Sequence, residues 1–502
     1  MNQGKSVIII GAGIAGLSTG CYLQMNGFNT EIFEMGKTPG GLCTAWKRKG
    51  YTFDGCLHWL VGSSPTDNLC TIWNELGVLR NRGVVNFSEY TRIETYDGKV
   101  FPVYTDMDRL SREMKTVAPE DSNAINQFIR SVKRFSRFNT TFKKPRELFT
   151  AADTITFLLK NISFLALYKK YQPVSIQEYS LRFSNPFLRS VLLSILGEEK
   201  VSVLALMMVL SWFHKKSAGY LVGGSQGLAQ AIEKRYLNLG GKINYNSRVS
   251  SILSENNVAT GVELEKGGTY HADNIISTCD GNSTIFRLLK GKYTNKKIID
   301  MYNTMDLFPS LIQVSLGVTR SCHDLPHALT LCLERPILAD DKTKVESINV
   351  TVYNFDPTLA PEGKTSIAVT FPANYEYWLN LRNNQARKYL MEKERIAVEV
   401  IGILEKRLGD IAHKVEAYDV ATPATYIRYT ANWRGSFEGW LPTPSAMEMT
   451  IDKTLPGLNN FYMAGQWVEP GGGIPSAAMS ARQVAQLLCN KEKIKFKTTM
   501  LE

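Results

Sequence analysis

The sequence predicts an α/β protein. Its Rossmann-type parallel sheet is assembled from separated stretches of chain, with an α+β substrate or cap domain inserted between them. Three observations carry this. A strand runs into a glycine-rich turn and a helix within the first 26 residues, a glycine-punctuated helix followed by short strands occupies residues 219–280, and a further strand–glycine–helix unit stands near the C-terminus. Because one hydrophobic core stops growing at roughly 250–300 residues, a chain of 502 residues has room for both domains.

Residues 6–10 hold four consecutive β-branched side chains, Val7 to Ile10, which suits a strand covered on both faces. Gly11-Ala12-Gly13-Ile14-Ala15-Gly16 then gives the GxGxxG spacing. In this pattern Gly11 permits the tight turn, Gly13 lets a pyrophosphate approach the backbone, and Gly16 lets the next helix pack against the strand. That helix, over residues 15–26, points free amides and its positive dipole end at phosphate. A second strand over residues 30–33 ends in Glu34, placed to hold ribose hydroxyls. Strand, glycines, helix, strand and acid in this order specify dinucleotide binding.

In the middle segment, Gly223-Gly224 opens a helix over residues 228–239 that stops at Gly240-Gly241. Residues 242–245, 248–253 and 259–265 alternate as a small antiparallel sheet, and residues 272–278 re-enter the main sheet. Near the C-terminus, residues 461–465 form the strand that completes the sheet. Gly471-Gly472-Gly473 then leads into a helix over residues 476–488, exposing amides to an electron-rich group. The dinucleotide domain therefore comprises residues 1–75, 219–280 and 451–502. The substrate domain takes residues 76–218, expected to be helical, and 281–450. Within it, residues 154–170 carry apolar side chains at helical spacing and end in Lys169-Lys170. They suit either a bilayer interface or a cap helix lining a pocket. Residues 201–213, apolar nearly all round, read as a buried helix near the substrate cavity.

Composition narrows the class. With 44% hydrophobic and 21% charged residues the chain is not disordered, and no apolar run reaches the 18–20 residues a membrane span takes. No leader-like segment opens the chain, and the eight cysteines form no CxxC pair, so a reducing cytoplasm is the expected compartment. The net charge of +11 suits an anionic membrane surface better than nucleic acid, because no basic patch interleaves with aromatics.

Gly40-Gly41-Leu42 and the run Gly50-Tyr51-Thr52-Phe53-Asp54-Gly55-Cys56-Leu57-His58-Trp59 resemble the second glycine pair and following segment of the FAD-dependent amine oxidase and phytoene desaturase superfamily. Segments 219–280 and 455–475, with Asp356 to Pro361 and Arg428-Tyr429-Thr430, extend the likeness to its phytoene desaturase, carotenoid isomerase and retinol saturase group. The resemblance implies FAD held by Gly11, Gly13, Ala15, Gly16, Glu34, Gly40, Gly41, Leu42, Gly465, Gln466, Gly473 and Ile474, with the Val249 backbone facing the adenine. Leu42 departs from the Arg or Lys often found there, and Gln466 from an acid that binds the ribityl chain. No second complete Rossmann unit provides for a bound nicotinamide.

His58, Trp467 and Glu469 flank the two flavin motifs and are the candidate catalytic residues. His58 is suited to acid–base work near neutral pH or to a structural hydrogen bond. Glu469 is suited to proton transfer if desolvated, or is a solvated loop carboxylate. Arg434 and Glu438 belong at the flavin edge or pocket mouth, or form a salt bridge. No serine triad, metal cluster or phosphate-transfer motif competes. The resemblance implies an FAD-dependent oxidoreductase acting on carbon–carbon bonds of a hydrophobic isoprenoid or polyene. The alternatives are an amine oxidase-like enzyme acting on C–N bonds and a flavin- or lipid-binding protein without turnover.

Overall fold

The computed structural model describes residues 4–138 and 144–500. Five parallel strands form the central sheet in the order Lys242–Asn244, Asn29–Phe33, Ser6–Ile10, Asn274–Ser277, Phe461–Met463. Ser6–Ile10 lies in the middle, with Ile9 opposite both Ile32 and Ile276. Its alternate residues serve two faces. Val7 and Ile9 pack under the helices Ile14–Met25, Gly224–Asn238 and Gly473–Lys491, while Ile8 and Ile10 meet Val249, Ile252 and Val262 of a small antiparallel sheet. A strand covered on both faces has no polar side, which is why its sequence is an unbroken apolar run.

Two details of the middle segment depart from the sequence reading. Lys242–Asn244 joins the central sheet, parallel to Asn29–Phe33, and not the small sheet, whose third strand is Thr269–His271. The helix just before residue 242 carries the chain back along the sheet and delivers it in the parallel sense. That helix also begins a turn early, at Gly224, because its cap comes from far away. The Asp54 carboxylate accepts from Ser225 N at 2.7 Å, Ser225 Oγ at 2.6 Å and Cys56 N at 2.9 Å. Asp356 holds the same turn, accepting from Gly223 N and the Tyr220 hydroxyl, both at 2.9 Å. Asp54→Ala leaves the Ser225 and Cys56 amides without these acceptors. A loss of about 3 kcal/mol is expected, read as a lower urea midpoint at unchanged slope.

Residues between the sheet strands build a seven-stranded sheet in the order Val415–Ala421, Leu311–Val318, Thr365–Pro372, Lys344–Val352, Ala328–Leu338, Glu89–Glu94, Val100–Tyr104. The last two strands come from the stretch expected to be helical, and Glu89–Glu94 pairs in parallel with Ala328–Leu338, so both insertions share one sheet. The helices Met107–Val117, Ser122–Phe135, Pro186–Leu196 and Val203–His214 share a core of their own. Val203–His214 is buried, as its all-round apolar sequence predicts. Among the described residues no helix is long and apolar enough to cross a membrane.

Candidate active site

Glycine geometry at the C-terminal end of Ser6–Ile10 creates the site. Gly11 takes φ +100°, and a Cβ on Gly16 would stand 1.9 Å from the Gly11 carbonyl oxygen and 2.7 Å from Thr278 Oγ1. The helix Ile14–Met25 therefore seats directly on the turn. The second glycine pair locks alongside: Gly40 N donates to Ala12 O at 2.8 Å, with Gly40 at φ +115°. Glu34 closes the turn by accepting from Ala12 N and Gly36 N, each at 2.6 Å. Burial raises its pKa, and these two amide bonds oppose the shift. Carboxylate oxygens keep further lone pairs, so ribose hydroxyls still find acceptors there.

A cavity of about 1900 Å³ opens from this turn. Gly11, Gly13, Ala15, Glu34, Gly40, Gly41, Leu42, Val249, Gly465, Gln466, Gly473 and Ile474 all line it, as do His58, Trp467 and Glu469. Gly16 is the exception, lying beneath the turn. The volume is well above the roughly 300–1,000 Å³ of a pocket for one small ligand. Its wall is also aromatic, with Trp59, Tyr90, Phe213 and Phe355 lining it and His327 stacked on Phe87 at 3.6 Å.

The titratable groups divide by surroundings. His58 stands accessible on the cavity wall, and the surrounding protein lowers its pKa while Asp54 opposes. His327, which no sequence motif marks, is pushed down to about 4 by burial and by His58. The His327 imidazole is therefore neutral at pH 7. Trp467 is spent on the wall: its indole N–H donates to Asn432 Oδ1 at 3.0 Å and its ring packs against Trp433 and Trp440. Glu469 lies 3.9 Å from Lys453, which Glu147 shares at 3.2 Å.

Burial raises the pKa of Glu469, with Lys453 opposing, whereas among the described residues no cation stands beside Glu438. A Cβ on Gly472 would meet its carbonyl oxygen at 2.0 Å, and one on Gly473 its Oε1 at 2.6 Å, so the carboxyl is packed against the start of Gly473–Lys491. Burial alone pushes its pKa up to about 8. The salt bridge considered for Arg434 is not formed, since that guanidinium lies over the Trp433 ring at 4.5 Å.

The chain matches the family described as flavin containing amine oxidoreductase over residues 14–489. It belongs to that family. As a flavin-containing amine oxidoreductase family member it is an FAD-dependent oxidoreductase, and the glycine turn, the large cavity and the free Glu34 lone pairs fit FAD. The chain is similar to a 4,4'-diapophytoene desaturase of Methylomonas sp, 25% identical over 99% of this chain and 98% of its own. A chloroplastic prolycopene isomerase of Daucus carota is 26% identical over 99% of this chain and 82% of its own. Solved structures share the fold: an oxidoreductase from Methanosarcina mazei with TM-score 0.61, 18% identity and coverage of 96% and 100% of the two chains, and putrescine oxidase bound to putrescine with TM-score 0.62, 12% identity and coverage of 97% and 99%.

Proposed function

We propose that this flavoprotein acts on carbon–carbon bonds of a hydrophobic isoprenoid or polyene, adding or removing hydrogen or isomerising a double bond. The observation that carries it is that one cavity is lined both by the glycines and by aromatic rings and the buried helix Val203–His214. The names of its desaturase and isomerase relatives support the same substrate class. Gly11, Gly13, Glu34, Gly40, Gly41 and Gly473 hold the cofactor, within a domain made of residues 1–75, 219–280 and 451–502. Bound FAD supplies hydride exchange with substrate carbon. The protein orients the polyene, excludes water and handles the proton. Glu438 Oε1, packed against Gly473, holds that proton at neutral pH and passes it to substrate carbon when hydrogen is added, and its carboxylate takes the proton from carbon when hydrogen is removed. Glu469, tied to Lys453, takes the lesser part of holding the nearby loop. Anaerobic mixing of flavoprotein with a polyene and with an amine tests the reading: the polyene should change the flavin absorbance. A response to the amine alone overturns it.

The helices Ala151–Lys160 and Ile162–Tyr171 favour an anionic membrane as the docking surface. Phe157, Phe164 and Tyr168 turn toward the cavity, while Ile155, Leu159 and Ile162 are 58%, 71% and 68% exposed beside Lys160 and Lys169-Lys170. Burying one such aliphatic side chain is worth about 1.5–3 kcal/mol. Leu159→Glu with Ile162→Glu should therefore cut sedimentation with anionic vesicles at least tenfold. Equal retention by neutral and anionic vesicles would remove the electrostatic part of this reading.

A further inference from the structure

Two of the eight cysteines face each other beside the glycines. The hairpin of Ala45–Arg48 and Tyr51–Asp54 pairs Ala45 with Asp54, and just beyond it Gly55 N donates to Thr44 O at 2.9 Å. The ladder ends there, and the two chain ends bring the side chains of Cys43 and Cys56 into contact. Two thiols in side-chain contact need only a small adjustment to reach the roughly 3.5–4.5 Å Cβ separation of a disulfide. Both thiols are free in the structure, and both residues line the large cavity. Contact with the Cys43 thiol is the largest influence on Cys56 and holds it protonated, with burial adding to it. Cys56 also lies within electrostatic reach of Glu438, whose carboxyl abuts Gly473, so the pair sits near the glycine wall assigned to the flavin.

We propose that Cys43 and Cys56 are a dithiol–disulfide couple that exchanges two electrons with the bound FAD. In the forward sense the two S–H bonds break and one S–S bond forms. The two electrons and two protons released by sulfur convert FAD to FADH2. In reverse, FADH2 returns both to the disulfide and restores the thiols. The couple stores one flavin's worth of reducing equivalents next to the site where they are spent, whichever carbon centre is processed. Because Cys56 is held protonated when reduced, the exchange carries protons with electrons and is slow toward oxidants outside the cavity.

Anaerobic dithionite titration of the air-oxidised flavoprotein tests this. The wild type is expected to take up four electrons per flavin before the flavin band is fully bleached, and Cys43→Ser or Cys56→Ser only two. In denaturant the oxidised wild type should show two fewer thiols than its eight cysteines, with Cys43 and Cys56 in one linked peptide. Two electrons per flavin together with all eight thiols free in the oxidised wild type overturns the proposal. If a serine variant loses flavin, the thiol count and peptide map of the wild type decide alone. Absence of any flavin response to polyenes would sink the substrate reading and leave this result standing.

Discussion

Gly16→Ala will empty the flavin site. The added methyl would stand 1.9 Å from the Gly11 carbonyl oxygen and 3.0 Å from its carbon, with Thr278 Oγ1 at 2.7 Å. None of these can withdraw cheaply: Thr278 Oγ1 donates to Ile10 O at 2.9 Å and to Gly11 O at 3.1 Å, and Gly11 is the turn itself. The helix Ile14–Met25 must lift off the strand and carry its N-terminal amides away from the phosphates. Overpacking of this kind costs about 3 kcal/mol, and the same figure expressed as affinity is roughly a hundredfold. The check is the ratio of flavin to protein absorbance after purification. Gly402→Ala is the control: in the helix Ala386–Leu408 its Cβ meets nothing within 4 Å, so flavin should be retained. Full flavin occupancy in Gly16→Ala would refute the seating of the helix on the turn.

Glu438→Gln should lower kcat/KM by roughly 10²–10³-fold while leaving flavin occupancy intact. The amide keeps the shape against Gly473 but has no carboxyl proton to deliver. With the folded pKa at about 8, wild-type activity should hold below that pH and fall about tenfold per unit above it, whereas the Gln variant is flat. Activity that rises through this range would identify Glu438 as a proton acceptor instead. Stability carries the same signature. The folded carboxyl keeps its proton up to about 8 while the unfolded one loses it near roughly 4.3, so stability declines as pH rises between these values. Thermal melts of the variant across that interval should lack Glu438's contribution to the slope.

Local features of the site were legible because their causes are local. Gly11, Gly13 and Glu34 act within one strand–turn–helix unit, and the glycines that need unusual backbone angles are named by the sequence itself. What escaped was set by distant partners. Gly224–Asn238 starts early because Asp54, about 170 positions away, caps it, and no local pattern encodes that contact. Glu89–Glu94 and Val100–Tyr104 become strands by joining an edge built from the second insertion. Glu438 and Glu469 look alike as loop acids, and only packing separates the one crowded by glycine from the one beside Lys453. His327 acquires its place from Phe87, which stacks on it from a separate part of the chain.

The order of strands in the central sheet also fixes a timetable. Ser6–Ile10 and Asn29–Phe33 leave the ribosome first, yet their neighbour Asn274–Ser277 and the last strand Phe461–Met463 are made much later. At ribosomal rates of about 5–20 residues per second, the nascent glycine turn waits on the order of tens of seconds for the strand that completes its sheet. Until then the side of Val7 to Ile10 that pairs with Asn274–Ser277 has no partner, and the cofactor has no finished place to bind. Production of active protein should therefore depend on chaperone capacity during synthesis more than on flavin supply.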